Sequence, residues 1–534
     1  MEASNLQIYW HESQPVYSLC FQPNSPNKKK LLTAGGDNKI RSWNLNLVKD
    51  TNKIDTIDFL SSLTQHEQAI NVVKFNSPGT ILASAGDDGQ ILLWKQQDVN
   101  EQNGETAAPV DSSVPKPFGS TFEDDEENNK ESWFVWKRLR APGSNSSEIY
   151  DLDWSPCDRY VVSGSMDNSI RVFDIESGKL LGTYADHNHY VQGVTWDPLN
   201  EFILSQSADR SVNIYQIIWD SDSNTIDKLK LKNRIMKGEL PQRDDENDKT
   251  KLDYKNLKTS FLFHNESLPS FFRRLTISPC GSIFCIPAGI FKNHTTSNSN
   301  DQGEISNAVY IYTRAIIKQN SNNNRPVMIL PFLKKPALVV SFNPNFYKLT
   351  HEEQEGTKKP YLKLPYRLIY AVATSNEVLI YDTVNVKPIS IIGNLHYTAL
   401  TDLSWSQDGN MLMVSSTDGF CSYITIEENL FGEKLTIEER EQYINANKLI
   451  NCQDSNKNSS SSSSITPSSA SASPMRRKTD IINILPVKRK IIAETEKGDD
   501  KSRKPKKESI TVVSEKGSPS KEKKRIQPTL VNTL

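Results

Sequence analysis

A seven-bladed β-propeller, all-β and closed by its own N-terminal strand, is the fold this 534-residue sequence predicts, and three observations predict it. One phrase recurs seven times: an alternating apolar strand ending in an aromatic, a second apolar strand, a polar turn, and a third strand ending at another landmark, usually aromatic. The distance between the two landmarks repeats, since Phe75 to Trp94, Trp154 to Phe173, Trp196 to Tyr215 and Trp405 to Ile424 are each 19 residues. An Asp stands six residues before the closing landmark at Asp37, Asp88, Asp167, Asp209 and Asp418. Period-2 strands in units that repeat this regularly bury their apolar faces only by stacking on one another, and a ring of four-stranded blades is the form that does so.

The elements follow in order. First strands are predicted at Val16–Phe21, Ile70–Phe75, Ile149–Trp154, Val191–Trp196, Phe272–Ile277, Leu338–Phe342 and Leu400–Trp405. Third strands end at Trp43, Trp94, Phe173, Tyr215, Tyr312, Tyr381 and Ile424. Phe21 to Trp43 spans 22 residues, and the fifth and sixth units stretch to 35 and 39 by polar insertion. The turns GGDNK, DDGQ, MDNS, ADRS and TDGF place Asp, Asn and Gly where a tight hairpin needs them. The last unit supplies only three strands, whereas Leu6–Trp10 stands unpaired at the start, so this segment is expected to complete the seventh blade and remove the open edge. Its truncation should destabilise the whole ring. The propeller is expected over residues 1–430, with insertions at about 96–131, 220–258, 287–307 and 343–363. Those at 96–131 and 220–258 are placed between third and fourth strands, and 343–363 between first and second, so all three are expected on one face, leaving the other comparatively bare.

Charge divides the chain differently. The formal net charge is -2, but residues 471–534 hold 17 Lys/Arg against 8 Asp/Glu, leaving 46 against 57 for the rest. An acidic body carries a basic tail. Residues 431–534 are expected to be a disordered Ser-rich and basic tail with short motifs, preceded by a short helix within Glu433–Lys448. Two islands in the tail, Ile481–Val487 and Lys523–Val531, read as strands for a partner sheet. No stretch approaches the roughly 18 apolar residues of a membrane span, and the N-terminus lacks a secretory pattern, which predicts a soluble chain with no membrane partner. Six cysteines lie far apart with no CxxC pair, so they read as reduced and mostly buried.

The landmarks resemble WD40 repeats, with the terminal Trp-Asp altered to Phe173-Asp174, Tyr381-Asp382 or Trp94-Lys95. In that family a blade-starting His, a strand Ser/Thr, the turn Asp and the terminal Trp form a hydrogen-bonded network, and His66, Ser84, Asp88 and Trp94 match it best. His11, His187 and His396 begin other units. His, Ser and Asp together also compose a hydrolase triad, but a trio that recurs in several blades is structural, because a nucleophile would be singular. There is no phosphate-binding Gly-rich loop, and His187-Asn188-His189 is the nearest approach to a metal set. Neither enzyme activity nor a cofactor is expected.

The segments WHESQPVYSLCF (10–21), HEQAINVVKF (66–75), LASAGDDGQILLWK (82–95), YVQGVTWDPL (190–199), LFHNESLPSFFRRL (262–275), LPYRLIYAVAT (364–374) and SSTDGFCSY (415–423) resemble the middle, WD40-repeat subunit of chromatin assembly factor 1 over residues 5–426. LFHNESLPSFFRRL is the most diagnostic, since general WD40 patterns lack it. Within it, Phe271, Phe272, Arg273 and Arg274 offer either an exposed partner surface or a packed Phe with arginines paired to carboxylates. The resemblance implies a nuclear, non-enzymatic scaffold of a histone chaperone that deposits H3-H4 during replication and repair. Its implied partners are the large subunit, the small histone-binding WD40 subunit and, through the complex, histones H3-H4, with no sequence-specific nucleic acid. Lys523, Lys524, Arg525, Ile526 and Pro528 are similar to the B-domain motif through which this family binds an anti-silencing-function H3-H4 chaperone, with Lys524-Arg525 in place of the usual Arg-Arg. Lys501, Arg503, Lys504, Lys506 and Lys507 form a basic cluster suited to nuclear import. The acidic run Glu123–Glu127 would suit a histone partner, although such runs are usually only solvated. Rival readings are a Hir-type chaperone subunit, which would carry a large second domain, and a ubiquitin-ligase substrate receptor, which would bring an adaptor-docking module.

Overall fold

The computed structural model describes residues 1–25, 29–49, 51–97, 129–142, 147–220, 223, 225–243, 252–293, 304–318, 325–354, 360–457 and 529–533. Seven antiparallel sheets form the blades, six of them ordered from channel to rim in chain sequence and the seventh finished at its rim by the N-terminal strand. Blade one is Val16–Phe21, Lys29–Gly35, Ile40–Leu47 and Ile54–Leu63, and blade two is Ile70–Phe75, Ile81–Gly86, Ile91–Gln96 and Trp133–Leu139. Blade three runs Ile149–Trp154 to Lys179–Tyr184, and blade four Val191–Trp196 to Ile226–Ile235. Inner strands such as Val191–Trp196 and Phe202–Ser207 are buried at every residue because neighbouring blades cover both sheet faces. The outer strand Lys179–Tyr184 alternates exposed and half-buried positions, as a one-sided rim strand should.

The hairpin turns are set by backbone chemistry. The residue after each turn Asp, namely Asn38, Gly89, Asn168, Arg210 and Gly419, has φ of 64–85°. Asn and Gly tolerate this left-handed region; Arg210 is the exception, and it is held there by a hydrogen bond from Nε to the Phe263 carbonyl and by stacking on Phe261. These turns define the upper face. Six innermost strands bulge at their second residue, which is Tyr17, Asn71, Tyr150, Gln192, Leu338 or Thr401. A bulge re-aims a side chain, and here it does so around the upper mouth of the channel.

The ring closes as predicted in kind but not in register. The closing strand is Glu2–Leu6, not Leu6–Trp10, and it pairs with Cys421–Thr425 from Glu2 opposite Thr425 to Leu6 opposite Cys421. The Met1 ammonium donates to Glu427 Oε1 at 2.8 Å. Trp10 turns inward instead, fully buried, with its ring 5.0 Å from that of Trp43. Hydrophobic burial of the largest side chain outweighs four more residues of rim pairing.

One insertion is placed differently from expectation. In blade four the third strand, Val212–Trp219, turns at once into the fourth, Ile226–Ile235. The excursion follows it as a hairpin, Lys237–Arg243 with Leu252–Phe261, between blades four and five and hence on the upper face. The 287–307 insertion lengthens the blade-five strands Ile283–Asn293 and Glu304–Thr313 on the same side. Hairpin and extension join through a Phe263–Gly289 bridge. The upper face is therefore not bare. The third blade-two strand ends at Gln96 on the opposite side, where the chain also leaves the first strand of blade six (Ala337–Tyr347 to Ser390–Gly393) for the short helix His351–Gln354, and Glu123–Glu127 falls outside the described residues.

On that lower side the helix Ile437–Lys457 starts at a capping box, in which the Thr436 hydroxyl accepts from the Glu439 amide at 3.2 Å and the Glu439 carboxylate accepts from the Thr436 amide at 2.9 Å. Tyr443 packs edge-on to Tyr366, and Asn447 donates to the Cys280 carbonyl. The compact unit thus takes in Met1–Gln453, beyond the expected edge at residue 430. Thr529–Thr533 adds to the outer strand of blade six, so this end of the second island pairs with its own chain.

Candidate interaction site at the propeller channel

Each blade-starting His sits where its strand enters the ring and is pinned by side chains of the next two strands. In blade two, His66 Nε2 lies 2.6 Å from Ser84 Oγ and Nδ1 lies 2.7 Å from Asp88 Oδ2, while Trp94 Nε1 donates to the same Ser84 oxygen at 2.8 Å. His11, Thr33, Asp37 and Trp43 repeat this in blade one. His187 uses Ser205 and Asp209, and His396 uses Ser422 and Asp418. Burial pushes the Asp88 carboxyl up, but the His66 hydrogen bond and charge and the backbone amides of Gln90 and Glu67 outweigh it and hold the group below the usual carboxylate range. Burial lowers His11 despite Asp37 beside it. Ser84 has the geometry of a triad serine yet is wholly buried, so no substrate reaches it. His189 does not join His187, because its Nδ1 accepts from the Tyr190 amide. Among the described residues no three His, Cys, Asp or Glu side chains converge as a metal site.

Blade five departs from this plan. Its inner strand is only Thr276–Ile277, not Phe272–Ile277. The preceding residues leave the sheet and run into the channel, where Arg274 forms a parallel bridge with Val339 of blade six. The Arg273 amide donates to the Gln192 carbonyl of blade four, and the Arg274 amide to the Leu338 carbonyl of blade six. The Arg274 guanidinium then crosses the channel to the Asn71 carbonyl at 2.7 Å in blade two, the Tyr17 carbonyl in blade one, and a salt bridge with Asp402 in blade seven. Asp402 also accepts from the Ser18 hydroxyl and the Leu19 amide. Phe271 completes the set by stacking on Tyr150 of blade three. One short segment touches every other blade.

The arginines are therefore not an exposed patch. Arg273 is 0% and Arg274 5% exposed, and Phe272 is buried; only Phe271, at 59%, faces solvent. Arg273 points back into its own segment, donating to the His264 and Asn265 carbonyls at 2.5 Å. With carbonyls as its nearest acceptors, burial pushes this guanidinium down to about 10. Gly193 is required opposite it, because a Cβ there would lie 2.0 Å from the Arg273 carbonyl oxygen. LFHNESLPSFFRRL is thus a self-clamped plug.

Around Phe271 the mouth is aromatic and acidic. Tyr150 meets Tyr190 edge-on at 5.8 Å, and Tyr17 lies 5.8 Å from Phe272. The Tyr150 hydroxyl donates to Glu148 at 2.8 Å, and Asn71 donates to Asp87 at 2.7 Å. Burial, then the charges of Glu148 and Asp88, raise Asp87 above the usual carboxylate range. The sequence pattern did not single out Tyr17, Tyr150, Tyr190, Asp87 or Glu148. The recurring bulge position after each blade start was the available signal. Lys501, Arg503, Lys504, Lys506, Lys507, Lys523, Lys524, Arg525, Ile526 and Pro528 lie outside the described residues.

A closed seven-bladed ring whose recurrent His, Ser and Asp are spent on buried pins, and whose channel is filled by its own chain, is a WD40-type binding scaffold. The CAF1B/HIR1 β-propeller domain family matches residues 1–431. The chain is 49% identical to the CAF1B-type component of chromatin assembly factor 1 of Saccharomyces cerevisiae, covering 82% of this chain and 88% of that protein. Against its counterparts from Schizosaccharomyces pombe and Mus musculus the identities are 38% and 34%, with 81% of this chain aligned to 89% and 68% of theirs. The chain belongs to the CAF1B family of chromatin assembly factor 1 components.

Proposed function

We propose that this chain is the non-catalytic WD40 scaffold of a chromatin assembly factor 1 complex, supporting deposition of histones H3-H4 on DNA during replication and repair. The observation that carries the reading is the 49% identity to a CAF1B-type component of chromatin assembly factor 1 over 82% of this chain. In this reading the propeller joins the large subunit, the small histone-binding WD40 subunit completes the complex, and H3-H4 is engaged through it. Lys523, Lys524, Arg525, Ile526 and Pro528 recruit an anti-silencing-function H3-H4 chaperone, the cations steering toward an acidic partner and Ile526 anchoring in a pocket. Lys501–Lys507 directs the chain to the nucleus.

The test is affinity purification of the full-length chain beside a full-length Arg525→Ala, Ile526→Ala variant, with mass-spectrometric identification of what accompanies each. Both should bring a large subunit and a second WD40 protein, and only the wild type the anti-silencing chaperone. Equal recovery of that chaperone removes the tail assignment. Recovery of a Hir-type complex or of ubiquitin-ligase adaptors instead removes the chromatin-assembly-factor assignment while leaving the propeller intact.

A further inference from the structure

The upper mouth of the channel carries a rigid exposed aromatic beside carboxylates that have no cation. Phe271 is 59% exposed although the residues on either side of it are fixed: Gln192 donates to the Ser270 carbonyl at 2.7 Å and Phe272 is buried. Its ring stacks on Tyr150, 6.0 Å between centroids, so one face is supported and the other is open. Met166, 49% exposed, lies beside Glu148, to whose carbonyl its amide donates. Of the turn carboxylates on this face, Asp37 has Arg41, Asp167 has Arg171 and Asp209 has Arg234, while Asp88 and Asp418 have His66 and His396. Asp87 and Glu148 accept only neutral donors, Asn71 and the Tyr150 hydroxyl, and among the described residues neither is in an ion pair. The same channel already shows a cation on an aromatic ring, with the Arg274 guanidinium 4.7 Å from the centre of Phe272.

We propose that this mouth is a docking site for a peptide segment of a partner protein that carries lysine or arginine side chains. A cation set over the open face of Phe271 gains from the ring quadrupole, and Asp87 and Glu148 neutralise it in a partly desolvated position where charge pairing is worth more than at an open surface. Met166 offers a pliable apolar contact for the neighbouring residues of such a peptide. Nucleic acid is the wrong sign for this patch. The plug is what makes the site, because it fills the channel and leaves a shallow platform on which an extended chain can lie.

The test uses the full-length protein and short fluorescein-labelled peptides of alternating Ala with Arg, Lys or Gln, read by anisotropy. The Arg and Lys peptides should bind about tenfold more tightly than the Gln peptide, and more weakly as salt rises. Asp87→Asn with Glu148→Gln should remove that tenfold preference, and Phe271→Ala should weaken the cationic peptides severalfold, all with unchanged circular dichroism. A control that removes two charges elsewhere, Asp55→Asn with Glu428→Gln, should bind like the wild type. Equal binding of the three peptides, or equal loss in the control pair, overturns the proposal. If the peptides bind only when Lys488, Arg489 and Lys490 are changed to Gln, the occupant is the chain's own tail; if Phe271→Ala abolishes a concentration-dependent dimer instead, it is a second copy. Either outcome also overturns a partner peptide as the ligand.

Discussion

Blades two and five hold their inner strands by opposite means. In blade two the pin is local, four side chains within 28 residues of sequence, and the inner strand Ile70–Phe75 pairs along its length with Ile81–Gly86. In blade five the inner strand has two residues, and the segment before it is anchored to blades far away in the chain, Arg274 lying 256 residues from Ser18. A local pin stabilises its own blade; a plug couples the ring. The difference teaches that a repeat fold has room for one irregular unit when the irregularity is repaid by contacts that no other unit could make.

Removing the plug's charge is the sharpest way to break this comparison. Arg274→Ala leaves Asp402 buried without its cation and should cost about 3–5 kcal/mol in chemical denaturation, the largest single effect expected. Arg274→Lys should recover only part, because a point charge cannot serve the Asn71 and Tyr17 carbonyls and Asp402 together. Gly193→Ala comes next, at about 3 kcal/mol, because its Cβ must displace the Arg273 carbonyl. If the ring tolerates both changes, the channel segment is only filler. His66→Ala, which leaves the buried Ser84 and Asp88 without the imidazole that joins them, should cost about 2 kcal/mol.

Acid sharpens the contrast further. His11 titrates below 6.5 in the fold, so its contribution is complete above that value and declines as pH falls below it. Asp37, Asp88 and Asp418 are held below 3.8, so theirs is complete above 3.8 and is lost as pH falls through the folded values. Stability measured against pH should therefore decline gently below 6.5 and steeply below 3.8, and Asp88→Asn should flatten the steep limb. Phe271→Ala is the smallest effect, within about 0.5 kcal/mol, since this side chain faces solvent. A larger loss would make Phe271 part of the core.

Much of the ring was legible in the sequence because it repeats. The spacing of Phe75 and Trp94, copied three more times, placed blades two, three, four and seven, and the turn Asp located the upper hairpin in those four and in blade one. The pin of blade two was likewise visible as residue types at fixed offsets. Register at an unrepeated end was not, because Leu6–Trp10 is more strand-like than Glu2–Leu6 and only the buried position of Trp10 decides against it. Nor was the side on which the blade-four excursion emerges, since a polar stretch before a strand looks the same whether it precedes or follows the fourth strand of a blade.

By itself, then, the sequence determined a seven-unit propeller, its closure by the N-terminus, and buried pins where His, Ser and Asp recur, because periodicity and turn chemistry are local and are written in every copy. The tertiary structure alone decided that Arg273 and Arg274 lie inside the channel, that Asp402 and Asn71 receive Arg274, and that Phe271 is left outside among Tyr150, Asp87 and Glu148. Those relations join residues hundreds of positions apart, and only closing the ring brings their strands to one axis.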